Sequence, residues 1–131
     1  MARHVVFVVS SRPARLDVRQ AAVRDAGYWP LPAPTIERAL FLAAKVRPSL
    51  VLTDPELPDG RAVALLDALR AIPALAGVRV VVLGEVTPAE RDVLASDARA
   101  HVRPVPDSAE LRVLLVATLG GPSRDAAAPQ P

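Results

Sequence analysis

Two rhythms of hydrophobic and polar positions alternate along this chain. Short runs of β-branched and aliphatic residues recur, separated by stretches in which apolar residues return every three to four positions. Residues 4–9 (HVVFVV) are apolar without a break after His4, the pattern of a strand covered on both faces. Pro13 opens a helix to about Ala26, with Leu16, Ala22, Val23 and Ala26 on one side and Gly27 as its stop. Residues 28–34 (YWPLPAP) hold three prolines, and each removes a ladder donor. An edge strand tolerates that; a central strand does not. Thr35 is an N-cap for a helix carrying Ile36, Ala39, Leu40, Ala43 and Val46, which Arg47 and Pro48 end.

Residues 49–53 (SLVLT) predict a second buried strand, and 54–60 (DPELPDG) a loop with two prolines and a glycine. A third helix over 61–72 buries Val63, Leu66 and Leu69. Residues 78–83 (VRVVVL) predict a third buried strand. Thr87-Pro88-Ala89-Glu90 joins a capping box to a proline at the first helical position, starting a helix that runs to about Ala98. Residues 100–103 form a short strand. Asp107 and Glu110 start a last helix with Leu111, Leu114, Leu115 and Leu119 inward. Residues 120–131 have no period and read as a flexible tail after a domain of 1–119.

Strand and helix thus alternate five times, which implies one α/β domain: a five-stranded parallel sheet, doubly wound. Ligands in such sheets bind at the carboxyl ends of the strands. That rule directs attention to Ser10, Asp54, Gly84 and Arg103.

Composition narrows the function. The chain of 131 residues is 51% hydrophobic but only 3% aromatic, so its core is aliphatic. It has no cysteine, which excludes disulfides, thiolate metal sites and a cysteine nucleophile. The longest apolar run, residues 39–44, is too short for a membrane span, and the N-terminus reads as a strand rather than a signal peptide. A soluble cytoplasmic protein is expected. The net charge of +2 is scattered and is no nucleic-acid footprint. Arg12, Arg15 and Arg19 share a helix face, read here as a solvated face partly offset by Asp17. Gly60 and Gly84 are isolated, with no phosphate-binding glycine loop, so a small-molecule-binding α/β domain has little support.

Asp54, directly after a buried strand, is a carboxylate held rigidly at the sheet mouth. Asp54-Pro-Glu-Leu57-Pro58-Asp-Gly60 resembles the phosphoacceptor segment of response-regulator receiver domains (CheY-like), and the five-unit pattern resembles that family over about residues 2–119. The resemblance implies a flavodoxin-like strand order of 2-1-3-4-5 and Asp54 as the phosphoacceptor position. The neighbouring family positions depart from the pattern. Ser10 and Ser11 stand where the family has two acidic residues that help to hold Mg²⁺, and Gly84 stands at the family's Thr or Ser. Arg103, before Pro104, replaces the family's Lys. Ala100 or His101 stands at its aromatic switch. Thr87 is occupied by its capping box, and His4 has no partner at useful spacing.

Glu56 matches a position that serves through its backbone carbonyl, and its side chain is expected in solvent. Mg²⁺ would at most be held weakly, by Asp54 and the Glu56 backbone; no cofactor, no metal and no catalytic residue are expected. Arg103 is positioned to form a salt bridge with Asp54. The resulting expectation is a stand-alone, atypical receiver in bacterial two-component signalling, not an enzyme. It would act by protein contact through about Thr87 to Leu119, on a histidine kinase or a downstream effector, with a homodimer through that face and no nucleic-acid or membrane partner. The competing expectation is a working receiver, phosphorylated at Asp54 by a histidine kinase.

Overall fold

A computed structural model describes residues 4–120. The apolar runs become β1 (Val5–Val9), β2 (Trp29–Ala33), β3 (Leu50–Thr53), β6 (Arg79–Leu83) and β7 (Ala100–Arg103), all parallel in the order β2-β1-β3-β6-β7. Two short strands, β4 (Glu56–Leu57) and β5 (Gly60–Arg61), form a separate antiparallel hairpin. With the hairpin set aside, the order is the expected 2-1-3-4-5.

Side chains alternate across the central strands, and each set meets different helices. Val6, Val8, Leu50, Leu52, Val81 and Leu83 pack with α1 (Pro13–Asp25) and α5 (Ser108–Leu119). Phe7, Val9, Val51, Val80 and Val82 pack with α2 (Ile36–Ala43), α3 (Ala62–Arg70) and α4 (Pro88–Ala95). Both faces of β1, β3 and most of β6 are therefore dry, as the unbroken apolar runs require.

The caps fall where the side chains dictate. Thr35 accepts from the Arg38 N–H, and capping boxes close the starts of α4 (Thr87 and Glu90) and α5 (Asp107 and Glu110). Helix α2 stops at Ala43 and α4 at Ala95, a few residues short of the expected ends. In α3, Leu65 is buried with Leu66 and Leu69, while Val63 is half-buried. The 54–60 loop contains the hairpin, whose turn is pinned by Asp59: its carboxylate accepts from Ile36 N (2.9 Å) and Glu37 N (3.0 Å) at the start of α2. Those N–H donors hold the Asp59 pKa below its usual value. Gly120 ends α5 in the left-handed region, φ +88°. The expected tail from 121 onward lies outside the described residues.

Strand β2 is an edge strand, as its prolines require. Trp29 N donates to His4 O and Ala33 O accepts from Ser10 N, so the odd-numbered residues point their backbone groups at β1. Pro30 and Pro32 occupy the alternate positions, where no donor is needed. His4 does find partners: its Nδ1 lies 2.8 Å from Ser49 Oγ, and its ring meets Tyr28 edge-on at 5.7 Å.

Candidate functional site

The carboxyl ends of β1 and β3 bring Ser10 and Asp54 together beneath the first turns of α1. Asp54 is 3% exposed. Ser10, wholly buried, donates from Oγ to Asp54 Oδ2 at 2.5 Å and accepts from the Arg12 N–H at 3.2 Å. It therefore ties the start of α1 to the carboxylate. Asp54 Oδ1 accepts from Arg19 Nη1 (2.8 Å) and Arg15 Nη1 (3.0 Å). The Arg19 side chain is 4% exposed, as is that of Asp54.

Two guanidinium groups and a hydroxyl thus converge on one buried carboxylate. The expected solvated face is wrong for two of its three arginines. Arg12 is exposed, Arg15 is half-buried and Arg19 is in the core. Burial pushes the Arg19 pKa down, Asp54 raises it in opposition and Arg15 lowers it further; a guanidinium remains charged under such shifts. Arg19 Nη2 is buried without a hydrogen-bond partner among the described residues.

The expected Arg103–Asp54 bridge does not form. Arg103 is exposed and its Nη1 donates to Val102 O at 3.2 Å on its own strand. β7 is an outer strand, two places from β3, and the arginines of α1 reach Asp54 from directly above. Only the Arg103 backbone comes to the sheet mouth, where its carbonyl accepts from Gly84 N. His101 is exposed on the same strand face as Arg103, and Ala100 is buried.

Gly84 is held by more than the absence of a hydroxyl. Its φ is +142°, and a Cβ there would lie 2.8 Å from Pro55 Cγ and 2.9 Å from Pro55 Cδ. The proline after Asp54 fills the space that a Thr or Ser side chain would need. Thr87 caps α4, as expected. Glu56 has a side chain 79% exposed and 3.8 Å from Arg61. A cavity of about 390 Å³ opens beside Asp54, lined by Ser11, Arg12, Arg15, Pro55 and Glu85 among others.

The donor set at this mouth does not fit a divalent cation. Mg²⁺ needs carboxylate oxygens and its own waters. Here Asp54 already carries two cations and a hydroxyl donor, and the other carboxylates that line the cavity, Glu56 and Glu85, are exposed, the former beside Arg61. No group of three or more His, Cys, Asp or Glu able to hold a metal occurs among the described residues.

A second ion pair fixes the neighbouring segment. Arg61, from the hairpin, donates from Nε and Nη2 to both oxygens of Glu90 at 2.8 and 2.9 Å. Arg61 and the Thr87 N–H hold the Glu90 carboxyl down to about 2, from an ordinary 4.5. A carboxylate with a depressed folded pKa stabilises the fold above its unfolded value and loses that contribution as pH falls through the folded one. The Glu90 contribution is thus present above about pH 4.5 and vanishes toward pH 2. Glu90→Gln should lower the melting temperature at neutral pH and flatten its fall across that window. Parallel acid melts of the two proteins check this, and high salt should narrow the difference because Arg61 is partly exposed.

The sheet order, the helix placement and the buried Asp54 at the mouth define the fold of CheY-like response-regulator receiver domains. Solved structures with this fold include the chemotaxis response regulator CheY4 of Vibrio cholerae, at TM-score 0.80 and 18% identity over 89% of this chain and 99% of that one. A CheY-like receiver domain protein from Methanospirillum hungatei JF-1 matches at TM-score 0.76 and 22% identity, over 91% and 95% of the two chains. The receiver domain of a sensor histidine kinase from Pseudomonas aeruginosa PAO1, with a magnesium ion coordinated in its active-site cleft, matches at 0.77 and 21%, over 91% and 99%. No protein-family model and no curated protein matches the sequence.

Proposed function

We propose that this chain is an atypical receiver domain of two-component signalling that acts through protein contacts rather than through phosphorylation of Asp54. The observation carrying this reading is the occupancy of that carboxylate. Oδ1 takes two guanidinium donors, Oδ2 takes the Ser10 hydroxyl, and the group is buried.

Phosphoryl transfer to a carboxylate needs an oxygen free to attack in line and positive charge on the incoming phosphoryl oxygens. An attacking Asp54 oxygen would first have to shed charge-assisted hydrogen bonds, worth about 1.5–3 kcal/mol each. Two of the cations at this mouth, Arg15 and Arg19, are already engaged by Asp54 itself. A response would further require an element whose two states differ in their affinity for the phosphoryl group. Gly84 has no side chain for that task, Pro55 blocks the space for one, and the Arg61–Glu90 fork fastens the start of α4. The proposed output surface is the face of α4, β7 and α5, about Thr87 to Leu119. No helix among the described residues is long and apolar enough to cross a membrane.

Incubation with acetyl phosphate and millimolar Mg²⁺, followed by intact mass, tests the reading. No phosphoryl mass gain is expected, in the wild type or in Asp54→Ala. A Mg²⁺-dependent gain that Asp54→Ala abolishes would overturn it in favour of a working receiver phosphorylated by a histidine kinase.

A further inference from the structure

Helix α4 is the least embedded helix on its side of the sheet. Of its eight residues only Leu94 is buried, whereas α2, also of eight, buries Ile36, Ala39 and Ala43, and α3, of nine, buries Ala62, Leu65, Leu66 and Leu69. Even with a capping box, so short a helix has little stability of its own, because isolated helices below ~12–15 residues are marginal in water. Most of what holds α4 in place must therefore come from outside it.

Polar contacts supply it at both ends. Arg61, the residue before α3, meets Glu90 in the first turn of α4 through the two-bond fork described above. Arg70, the last residue of α3, makes a second fork two residues past the end of α4. Its Nε donates to Asp97 Oδ2 at 2.7 Å and its Nη2 to Asp97 Oδ1 at 3.1 Å. Nη1 of the same guanidinium donates to Val78 O at 2.8 Å, just ahead of β6, which fixes this anchor in turn. Arg70 holds the Asp97 carboxyl below its usual value, as Arg61 does that of Glu90. These are the two bidentate guanidinium–carboxylate pairs among the described residues, the strong geometry for such contacts, and both join the same two helices. Their spans agree: Arg61 and Arg70 are set about 13 Å apart by the helical rise, Glu90 and Asp97 about 10 Å.

We propose that the two forks are a latch: α4 is a releasable element, pinned to α3 at both ends by Arg61–Glu90 and Arg70–Asp97, and it opens as a unit over an intact sheet once both pairs are lost. Such opening belongs to the low-stability end of a protein's local unfolding, where few buried apolar contacts resist it. The latch is reached from solvent. The Arg61 side chain is 38% exposed and those of Arg70 and Asp97 are 21% exposed, so a charged group on a contacting protein competes for them directly. A group that binds only the opened form shifts the balance toward it. The consequence for signalling rests on the contact reading, since α4 is part of the proposed output surface. The latch itself does not, because neither fork involves Asp54.

Amide hydrogen exchange of the full chain, read residue by residue by NMR, tests the latch. Glu90→Gln and Asp97→Asn remove the charge but leave an oxygen to accept from the Thr87 and Arg99 N–H groups, so the cap and the turn are kept. Each alone should speed exchange roughly tenfold at its own end of α4, residues 91–92 or 95–96. Together they should speed it throughout the helix, Val93 and Leu94 included, while amides in β1 and β3 keep their protection. Asp92→Asn removes an exposed α4 carboxylate that has no ion pair among the described residues, and should change nothing. If the double variant does not fold, the end-specific pattern of the two single variants decides. Unchanged α4 protection in the fork variants, a loss shared equally by β1 and β3, or an equal effect of Asp92→Asn would overturn the proposal. Its failure is separable from that of the contact reading: a phosphoryl gain at Asp54 removes the latter and leaves α4 exchange measurable, whereas a latch that fails on an unphosphorylated protein removes only the former.

Discussion

Arg19→Ala is expected to destabilise the protein by about 3–5 kcal/mol, because removing one member of a buried ion pair strands the other in a dry site. Asp54 keeps Ser10 and could keep Arg15. Arg15 is 30% exposed, however, and shares its charge with water, so it cannot replace the enclosed guanidinium. Arg15→Ala should therefore cost much less, on the order of 1 kcal/mol. The informative comparison is the double replacement Arg19→Met with Asp54→Leu. Exchanging a buried pair for apolar residues of similar size is often neutral or stabilising, so this variant should recover most of the loss. Urea midpoints with a constant slope measure all three. A mild Arg19→Ala would show that the pair is not what holds α1 against the mouth of the sheet.

Gly84→Thr, the substitution that would restore the missing hydroxyl, is expected to be the other severe lesion. Its Cβ would come within 3.0 Å of two Pro55 ring atoms in a backbone region that side chains rarely adopt. Overpacking costs about 1–3 kcal/mol and a strained backbone another 1–3 kcal/mol. Pro55→Ala combined with Gly84→Thr should recover the steric part and leave the conformational part. Urea denaturation of both variants gives the partition. A Gly84→Thr protein as stable as wild type would mean that Pro55 and Gly84 do not constrain each other.

The fold was legible because each segment carries its own boundary signal. Capping boxes at Thr87 and Asp107 and the cap at Thr35 fix helix starts, and runs such as VVFVV can only be strands buried on both faces. Asp54 was legible for a similar reason, as a carboxylate ending such a run. What covers Asp54 was not. Periodicity places Arg12, Arg15 and Arg19 on one side of α1, yet a polar side over solvent and a polar side over the sheet mouth look the same in one dimension. The usable signal was a mismatch of charge: with Ser10 and Ser11 in place of acids, a buried Asp54 needed a cation. The i, i+4 spacing of Arg15 and Arg19, just beyond β1, offered two. The resemblance directed the pairing to Arg103 instead, because it matched a residue type without asking which strand stood between. The β4–β5 hairpin was invisible because two-residue strands leave no period to read.

The prolines of β2 have an outcome for the molecule in a crowded solution. With Pro30 and Pro32 outermost, that flank presents no amide hydrogen to a neighbouring chain and cannot template cross-β growth, whatever the apolar content of the strand. Any intermolecular strand addition is left to the far side of the sheet, where arginines at 99 and 103 repel an identical molecule. The two margins thus resist self-assembly by different means, one by lacking donors and the other by like charge.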